Sequence, residues 1–403
     1  MSNEYIKTSI WLLPILIGIS IIATTIQPSS YRWLIPYGNP YIESIKIDEL
    51  ALNNNYPSMD QIIPPALIYF LIFGIIRKVL TDYLFRPLAI YALNTDVIII
   101  DKNNHIDKFL FDNYANNVII TEKLINDLCN QYDMNSRDVR KYIWTSRKNK
   151  SIRGRHNKFL EALWRLIYYL LFTIFAYICL FVPNTAVWIG DTKKYWEGWP
   201  YQRIEDNIKL LYQLQLACYF HQLSWIELPL RSDSKEMMLH HLATILLIGL
   251  SYLTSFTRIG ATIFLTHDIA DIFLESAKCI NYTARTEGRK HLSIYCDILF
   301  GIFAIVFFVT RLILYPRYMV WSLVYEAPKI LGGTWLGWYA FAGLLVLLLI
   351  LHVFWFYLVV RMIYKLITTG IDKDVRSDDE DCIEESYESP KNKKKTAKQQ
   401  NEF

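Results

Sequence analysis

Long apolar runs without charge alternate along this chain with short polar segments. Ile298–Thr310 and Leu344–Leu351 are two such runs, and neither contains a charged residue. A helix needs roughly 20 mostly apolar residues to cross the hydrocarbon core of a bilayer. The pattern predicts about seven core spans of that kind, near residues 63–80, 162–182, 207–228, 237–256, 259–277, 293–315 and 337–362. We therefore expect an all-α fold, a polytopic bundle of membrane helices.

The polar segments divide the chain into predicted parts. These are an N-terminal extension, a segment that ends in the first core span, a polar insert, the main membrane body and a charged tail, at 1–30, 31–92, 93–160, 161–366 and 367–403. The apolar stretch at 10–26 is either a cleaved signal peptide or an extra span. The tail is rich in charge and poor in apolar residues, so we expect it to be disordered.

Lysine and arginine are concentrated in two of the polar segments. Arg137–Lys158 contains nine Lys or Arg and one Asp, and Arg285–Lys290 is the second basic segment. Cytosolic loops of membrane proteins are enriched in Lys and Arg, so both segments are predicted to be cytosolic, together with the tail. The segments at 27–61, 184–206 and 316–336 then lie on the luminal side. The formal net charge of +4 is too small to indicate a nucleic-acid-binding protein by itself.

Titratable side chains interrupt the apolar pattern in the region between Glu236 and Tyr282. Each charge in the middle of a membrane costs about 2.5–3.5 kcal/mol, so a cluster of them indicates a water-filled cavity, a set of partners or a chemical task. The residues are His240, His241, Arg258, His267, Asp268, Asp271, Glu275 and Lys278.

Their spacing places several of these residues on shared helix faces. His267 and Asp271 are four residues apart and share a face, and so do His240 and Ser251, which are eleven residues apart. His241 points roughly 100° away from His240. A stripe continues along the second helix through Asp268, Asp271, Glu275 and Lys278. If the two helices face each other, their imidazoles and carboxylates form a buried polar cluster.

Three kinds of chemistry fit such a cluster. The histidines could be hydrogen-bond partners between helices, and the carboxylates could pair with Arg258 and Lys278. Histidine and aspartate are also metal ligands, although HHxxT and HDxxD lack the histidine-rich pattern of di-iron membrane enzymes. Histidine with a carboxylate also suits general acid–base and nucleophilic catalysis. The six cysteines are scattered singly without a CxxC pair, which predicts neither a zinc site nor a disulfide framework.

The stretch from Glu236 to Tyr282 resembles the Lag1 motif of the ceramide synthases, within the TRAM–Lag–CLN8 (TLC) superfamily. The likeness continues in three further segments. Trp196–Gln202 (WEGWPYQ) resembles the family's WEGYPYQ loop, Thr310–Pro316 (TRLILYP) resembles its TRLxxYP, and Asp374–Asp379 (DVRSDD) resembles its acidic, phosphorylatable tail. One departure is the turn Thr254–Phe256 (TSF), where the family usually has an Asn-rich turn.

The resemblance implies an acyl-CoA-dependent N-acyltransferase of the endoplasmic reticulum membrane. Such an enzyme forms (dihydro)ceramide from a fatty acyl-CoA and a sphingoid base, sphinganine or sphingosine, without a cofactor or a metal ion. The resemblance allows homo- or heterodimers, and it implicates the last luminal loop, near Tyr315–Leu336, in the choice of acyl length. The alternative is a non-enzymatic TLC-domain protein, translocon-associated or lipid-sensing.

Each titratable residue of the motif is then a candidate for one of two roles. The candidate catalytic residues are His240, His241, His267, Asp268 and Asp271, and the candidates for cavity lining or structural support are Ser251, Arg258, Glu275 and Lys278. The imidazole of His240 would hold the acyl group as an acyl-imidazole, or His240 or His241 would act as the base in a direct attack. Asp271, with His267 and Asp268, would orient the imidazole or take the proton of the amine.

Residues 124–150 of the insert resemble the second and third helices of a homeodomain. A DNA-reading helix would have Asn in place of Thr145, because Asn makes a bidentate contact with adenine. The usual Trp-Phe pair is replaced by Tyr142-Ile143. DNA binding is therefore not expected, and the basic residues suit contact with the membrane surface or support of the fold.

Three serines of the tail lie among acidic residues: Ser377, Ser386 and Ser389. Acidic surroundings suit an acid-directed kinase, and each phosphate would add about −1.5 to −2 charges. We expect these serines to be phosphorylation sites.

Overall fold

The computed structural model describes the membrane body and part of the polar insert. The described residues are 57–94, 122–132, 135–182, 190–199, 202–224, 234–286 and 288–369. Two predicted segments lie outside the described residues: the apolar stretch at 10–26 and the tail, which contains Ser377, Ser386 and Ser389. The predictions of disorder and phosphorylation in the tail therefore stay predictions. Every regular element in the described ranges is helical, so the prediction of an all-α fold is confirmed.

The helices are numbered in the order in which they occur along the chain. They are α1 Ile63–Leu80, α2 Arg86–Leu93, α3 Glu122–Tyr132, α4 Ser136–Phe181, α5 Asp206–Ser224, α6 Ser234–Leu253, α7 Thr257–Ala284, α8 Ser293–Phe307, α9 Ala327–Leu331 and α10 Leu336–Thr369. Three π-helical stretches continue the axis between neighbouring helices, at Thr81–Phe85, Phe308–Val320 and Ser322–Glu326. Short 3-10 turns occur at Met59–Gln61, Thr192–Tyr195 and Lys290–Leu292.

Five helical runs of the described part are long and apolar enough to cross a membrane. They are Met59–Leu93, Ile152–Phe181, Lys235–Leu253, Lys290–Leu331 and Leu336–Thr368. The other two predicted spans are the helices α5 and α7, whose polar side chains lower their hydropathy. These side chains are turned into the bundle, where the following are buried: Gln213, Gln215, His221, His267, Asp268 and Glu275. The protein is a polytopic bundle of membrane helices in which the polar residues face inward.

The polar insert leads directly into the membrane body through one long helix. The side chain of Asn135 caps the start of α4 by accepting a hydrogen bond from the Asp138 amide at 2.9 Å. From there α4 runs without interruption for 46 residues, through the basic segment and the apolar span to Phe181. Two consecutive helices, α3 and α4, therefore occupy the second half of the insert, while its homeodomain resemblance stays a prediction.

The segment near Tyr315–Leu336 is not the loop that the sequence predicts, because the chain remains helical as far as Leu331. Its luminal location stays a prediction. Pro316 has no N–H and would break a regular α-helix. Here the wider π-helical turns of Phe308–Val320 accommodate it. Only four residues then connect α9 to α10, starting with Gly332 in the left-handed conformation that favours glycine.

One end of the bundle collects the basic segments, and we call it the basic end. Arg289 Nη1 donates to the carbonyl oxygen of Ala92 at 2.9 Å, and Thr286 Oγ1 donates to that of Leu93 at 3.4 Å. Arg155 of α4 donates to the carbonyl oxygen of Arg285 at 3.5 Å. Both basic segments that the sequence predicts to be cytosolic therefore lie at the same end of the bundle.

The opposite end, which we call the tryptophan end, is closed by buried indoles. Trp196 Nε1 donates to Ser322 Oγ at 2.8 Å, and Trp199 Nε1 donates to the carbonyl oxygen of Thr254 at 2.6 Å. The turn between α6 and α7 lies here and places Ser255 at φ 59°, a left-handed conformation that Asn adopts more readily than Ser. This backbone requirement explains why an Asn-rich turn suits this position in the family.

Candidate active site

Asp268 is held in the middle of the bundle by a chain of hydrogen bonds that crosses three helices. Its side chain is only 2% exposed on α7, and its Oδ2 accepts from Gln215 Nε2 of α5 at 2.7 Å. Gln215 Oε1 accepts in turn from the hydroxyl of Tyr168 on α4 at 3.2 Å. Buried polar groups need such partners, and Gln215 of α5 supplies the hydrogen-bond donor for Asp268.

Asp271 lies one turn further along α7 and forms an ion pair with an arginine of the π-helical stretch. Arg311 Nη2 donates to Asp271 Oδ2 at 2.7 Å and also to the carbonyl oxygen of His267 at 2.8 Å. The guanidinium also lies over the ring of Phe307, 4.7 Å from its centroid. Arg311 therefore neutralises Asp271 and fixes the turn of α7 that carries His267.

His267 pairs with a second imidazole, that of His352 on α10. Their Nε2 atoms are 3.2 Å apart, and His267 Nδ1 lies 2.9 Å from the carbonyl oxygen of Ile263. The ring of Tyr315 stands edge-on to both imidazoles at 5.2 Å and 5.1 Å, and its hydroxyl donates to the carbonyl oxygen of Leu345 at 2.9 Å. The hydrogen bonds and the ring of Tyr315 together fix the orientation of both imidazoles.

The two adjacent histidines of α6 face different neighbours. His240 contacts the indole of Trp355 on α10 at a ring distance of 5.2 Å, while His241 contacts Tyr219 on α5 at 5.7 Å. Trp355 and His352 are three residues apart on one helix, so α10 connects His240 to His267. The predicted polar cluster therefore forms, with α10 as a third contributor that the spacing did not indicate.

The four supporting residues lie at three different levels of the bundle. Glu275 accepts from Lys278 Nζ at 2.7 Å and lies 3.9 Å from Arg165 of α4, one turn from Asp271 toward the basic end. Ser251 donates to the hydroxyl of Tyr212 at 3.1 Å, nearer the tryptophan end. Arg258 lies at the tryptophan end. It donates to the carbonyl oxygens of Lys194 and Glu197, in the segment before α5, at 2.6 and 3.2 Å. Arg258 is therefore a support of the tryptophan end.

A small apolar cavity of about 30 Å³ starts at His267 and extends toward the tryptophan end. It lies between α5, α6, α7 and α10, and its polar wall residues are Tyr219, Thr244, Ser251 and His267. The wall of α6 from Thr244 to Ser251 is about 10 Å long. His240 lies one turn beyond Thr244, whose hydroxyl donates to its carbonyl oxygen at 2.8 Å. His267 therefore lines the end of the cavity nearest the basic end, and the other histidines and aspartates of the cluster lie beyond it on that side.

Sequence reasoning missed several residues of this site, although most of them left a signal. His352 and Arg311 are isolated polar residues in otherwise apolar runs, and Gln215 interrupts the weakest predicted span. An isolated polar residue in a membrane helix is expensive and is expected to have a partner inside the bundle. Tyr168 and Trp355 left no such signal, because aromatic residues are ordinary members of a membrane helix.

The histidines and carboxylates are not arranged as a metal centre. Among the described residues, no group of three or more His, Cys, Asp and Glu side chains could hold one ion. His267 instead pairs with His352 and a main-chain carbonyl, and the two aspartates bond to Gln215 and Arg311.

Comparison with known proteins identifies the family to which this arrangement belongs. Residues 158–361, about half of the chain, match the family described as the TLC domain. Ceramide synthase 4 of Mus musculus is 38% identical over 244 residues, which cover 58% of each chain. Ceramide synthase LOH2 of Arabidopsis thaliana is 36% identical over 239 residues, which cover 57% of this chain and 77% of that protein. This chain belongs to the ceramide synthase family of TLC-domain proteins.

The ceramide synthase matches cover only part of each chain. Ceramide synthase 5 of Homo sapiens is 35% identical over 269 residues, or 66% of this chain and 65% of that protein. The chain thus spans 58% of the mouse relative's length and 65% of the human relative's length. Every polar side chain of the site described above, from Tyr168 to Trp355, lies within the matched TLC domain.

Proposed function

We propose that this protein is a ceramide synthase, an N-acyltransferase that joins the acyl group of a fatty acyl-CoA to the amine of a sphingoid base. The observation that carries the proposal is a buried cluster of four histidines and two aspartates, of which His267 lines the apolar cavity. The residues are His240, His241, His267, His352, Asp268 and Asp271. The relatives compared above are themselves named as ceramide synthases.

The cavity suits the acyl chain, and the basic end suits the coenzyme. The wall contains Leu247, Ile248, Ile263, Phe264 and Leu348, which offer an apolar surface to a hydrocarbon chain. The coenzyme is polar and anionic, so it would remain toward the basic end with its thioester beside the histidines. If acyl-CoA binding widens this small cavity so that the chain can enter it, the reacting carbonyl would lie at the polar cluster.

His240 is the proposed nucleophile. Its Nδ1 is buried and has no hydrogen-bond partner among the residues that the structure describes, so this nitrogen is available to a substrate. Attack on the thioester would transfer the acyl group to the imidazole and release the CoA thiol, which divides one difficult step into two easier ones. In the rival mechanism His240 or His241 acts only as a base while the amine attacks the thioester directly.

The proposal is tested with purified protein, acyl-CoA and sphinganine. We expect acyl-CoA-dependent formation of dihydroceramide, and with acyl-CoA alone an acyl adduct on the peptide that contains His240, detected by mass spectrometry. His240→Ala should lose both, whereas His291→Ala, which changes an exposed histidine at the basic end, should lose neither. A purified protein that is folded but forms no ceramide would favour a non-enzymatic TLC-domain protein.

The proposed location is the membrane of the endoplasmic reticulum, with the basic end and the tail in the cytosol. The support is the collection of Lys and Arg at one end of the bundle, which is typical of the cytosolic side. Protease added to intact microsomes should cut the tail and the insert at 93–160. Protection of both segments would reverse the assigned orientation.

A further inference from the structure

His352 is a completely buried histidine in the apolar helix α10, and the proposed reaction as described so far does not use it. Its exposure is 0%, and its Nε2 lies 3.2 Å from Nε2 of His267. The geometry of this pair determines which nitrogen of each ring carries a proton.

The first proton is assigned by a main-chain carbonyl. His267 Nδ1 lies 2.9 Å from the carbonyl oxygen of Ile263, which can only accept, so Nδ1 of His267 carries the hydrogen. A neutral imidazole has one N–H, and Nε2 of His267 therefore holds a lone pair. The hydrogen between the two Nε2 atoms then belongs to His352. It follows that Nδ1 of His352 holds a lone pair of its own.

This Nδ1 is buried, and no described residue offers it a hydrogen bond. Three other buried polar atoms nearby also have no hydrogen-bond partner in the described part of the chain: His240 Nδ1, Trp355 Nε1 and Arg311 Nε. Trp355 contacts the ring of His240 and lies one turn from His352 on α10. Buried polar atoms are normally satisfied, and a group of exceptions calls for a bound polar ligand or a catalytic role.

The other elements packed around His352 that the structure describes offer its Nδ1 no hydrogen-bond donor. Tyr315 directs its hydroxyl to the Leu345 carbonyl, and Phe307 presents an apolar ring at 6.3 Å. Three charged or titratable groups remain. Arg311 is bound to Asp271, and His267 already accepts a hydrogen bond from His352 at its Nε2. The third is His240 on α6.

We propose that His352 is the base that takes the proton from the sphingoid ammonium, with His267 as the positioning residue that holds it in the basic tautomer. The inference rests on the proposed N-acyltransferase activity. In the step, one N–H bond of the ammonium breaks and its proton moves to Nδ1 of His352, which becomes an imidazolium. The neutral amine then forms the C–N bond to the acyl carbon, the bond from that carbon to His240 breaks, and a second amine proton passes to the released imidazole of His240.

The imidazole pair can accept this proton without any rearrangement. After protonation, Nε2–H of His352 still donates to His267, and Nδ1–H of His267 still donates to Ile263. Asp271 is a weaker candidate for the same task, because its carboxylate is neutralised by the guanidinium of Arg311 at 2.7 Å. Its role in this scheme is to hold Arg311 and the His267 turn.

His352→Gln separates the two half-reactions, because a glutamine amide can still donate to His267 but cannot take a proton. We expect the acyl adduct on His240 to form as in the wild type. Ceramide formation at neutral pH should fall by about 10²-fold or more, the usual contribution of a general base. The remaining rate should rise steeply with pH, because only amine that is already neutral in solution can react. His221→Gln, a buried histidine of α5 outside the site, should keep the wild-type rate and pH profile.

Normal ceramide formation by His352→Gln with the wild-type pH profile would overturn the inference. Loss of the acyl adduct in this variant would also overturn it, since the base is needed only in the second half-reaction. If wild-type enzyme forms ceramide without an adduct, the pH profile of His352→Gln still tests whether His352 is the base. If wild-type enzyme forms no ceramide, the proposed function itself fails. Should His352→Gln not fold, His352→Asn, which occupies less space, is tested in the same way.

Discussion

Arg311 donates from a single nitrogen, Nη2, to the carboxylate of Asp271 and to the main-chain oxygen of His267, at 2.7 and 2.8 Å. The side chains of Arg311 and Asp271 are only 7% and 19% exposed. This one guanidinium joins the π-helical stretch Phe308–Val320 to the turn of α7 that carries two of the candidate residues. The order of the site therefore depends on a residue that lies 40 positions further along the chain.

A variant that lacks only Arg311 should be less stable than a double variant that lacks both Arg311 and the Asp271 carboxylate. Arg311→Met leaves a buried carboxylate without its partner, which costs about 3–5 kcal/mol. In the double variant with Asp271→Asn the unpaired charge is gone, so part of the stability should return, although ceramide formation should not. Thermal unfolding in detergent measures the difference. Arg317→Met, an exposed arginine of the same stretch, is the control and should change stability by less than about 0.5 kcal/mol. Equal instability of the single and double variants would contradict this explanation.

Loss of the Gln215 amide should impair catalysis as well as stability. Gln215→Leu leaves Asp268 without its donor and Tyr168 without its acceptor, which costs about 1–3 kcal/mol. The matched control is Gln213→Leu on the same helix, which removes a 2.7 Å hydrogen bond to the carbonyl oxygen of Gln61 at the tryptophan end. Both variants should unfold at lower temperature, but only Gln215→Leu should lose turnover per folded molecule. Similar turnover in the two variants would remove Asp268 from the reaction.

Gly260 should be intolerant of a methyl group, because Tyr212 of α5 occupies the space beside it. A Cβ at this position would overlap the hydroxyl of Tyr212, and overpacking of this kind costs about 1–3 kcal/mol. Adding Tyr212→Phe removes the nearest atom and should recover part of the loss in unfolding experiments. Gly343→Ala is the control, since nothing lies within 4 Å of the added carbon. That change should be neutral or stabilise α10 by about 0.5–1 kcal/mol.

Phe341 should limit the length of the acyl chain that the cavity accepts. It is the wall residue of α10 nearest the tryptophan end, and its ring stands edge-on to Phe256 at 5.4 Å. Phe341→Leu enlarges the cavity in that direction, so we expect a shift toward longer acyl groups in ceramide formed from an equimolar mixture of acyl-CoAs. Phe354→Leu, at an exposed position of the same helix, should leave the product distribution unchanged. An unchanged distribution in Phe341→Leu would show that the chain binds elsewhere.

The fold class and the position of the reactive region were predictable from the sequence, because both depend on local chemistry. Whether a segment can cross a membrane depends on the apolar character of its own roughly 20 residues. Hydropathy along the sequence is therefore enough to indicate the spans. The helical period is equally local, and it placed His240 and Ser251 on one face and His267 and Asp271 on another. The continuation of the helix through Pro316 was not predictable in this way, since proline normally favours an end and only the packed π-helical turns accommodate it.

The identity of each polar residue's partner was decided only by the tertiary structure. Asp271 could have paired with Lys278 on its own helix, but the packing of the π-helical stretch supplies Arg311 instead. His352 is 85 residues from His267 and meets it because α10 packs at one particular height against Tyr315 and α7. The energy of a charge in a membrane requires that some partner exists. Which partner it is depends on how the helices pack and on their relative heights, and these properties involve the whole bundle rather than any single segment.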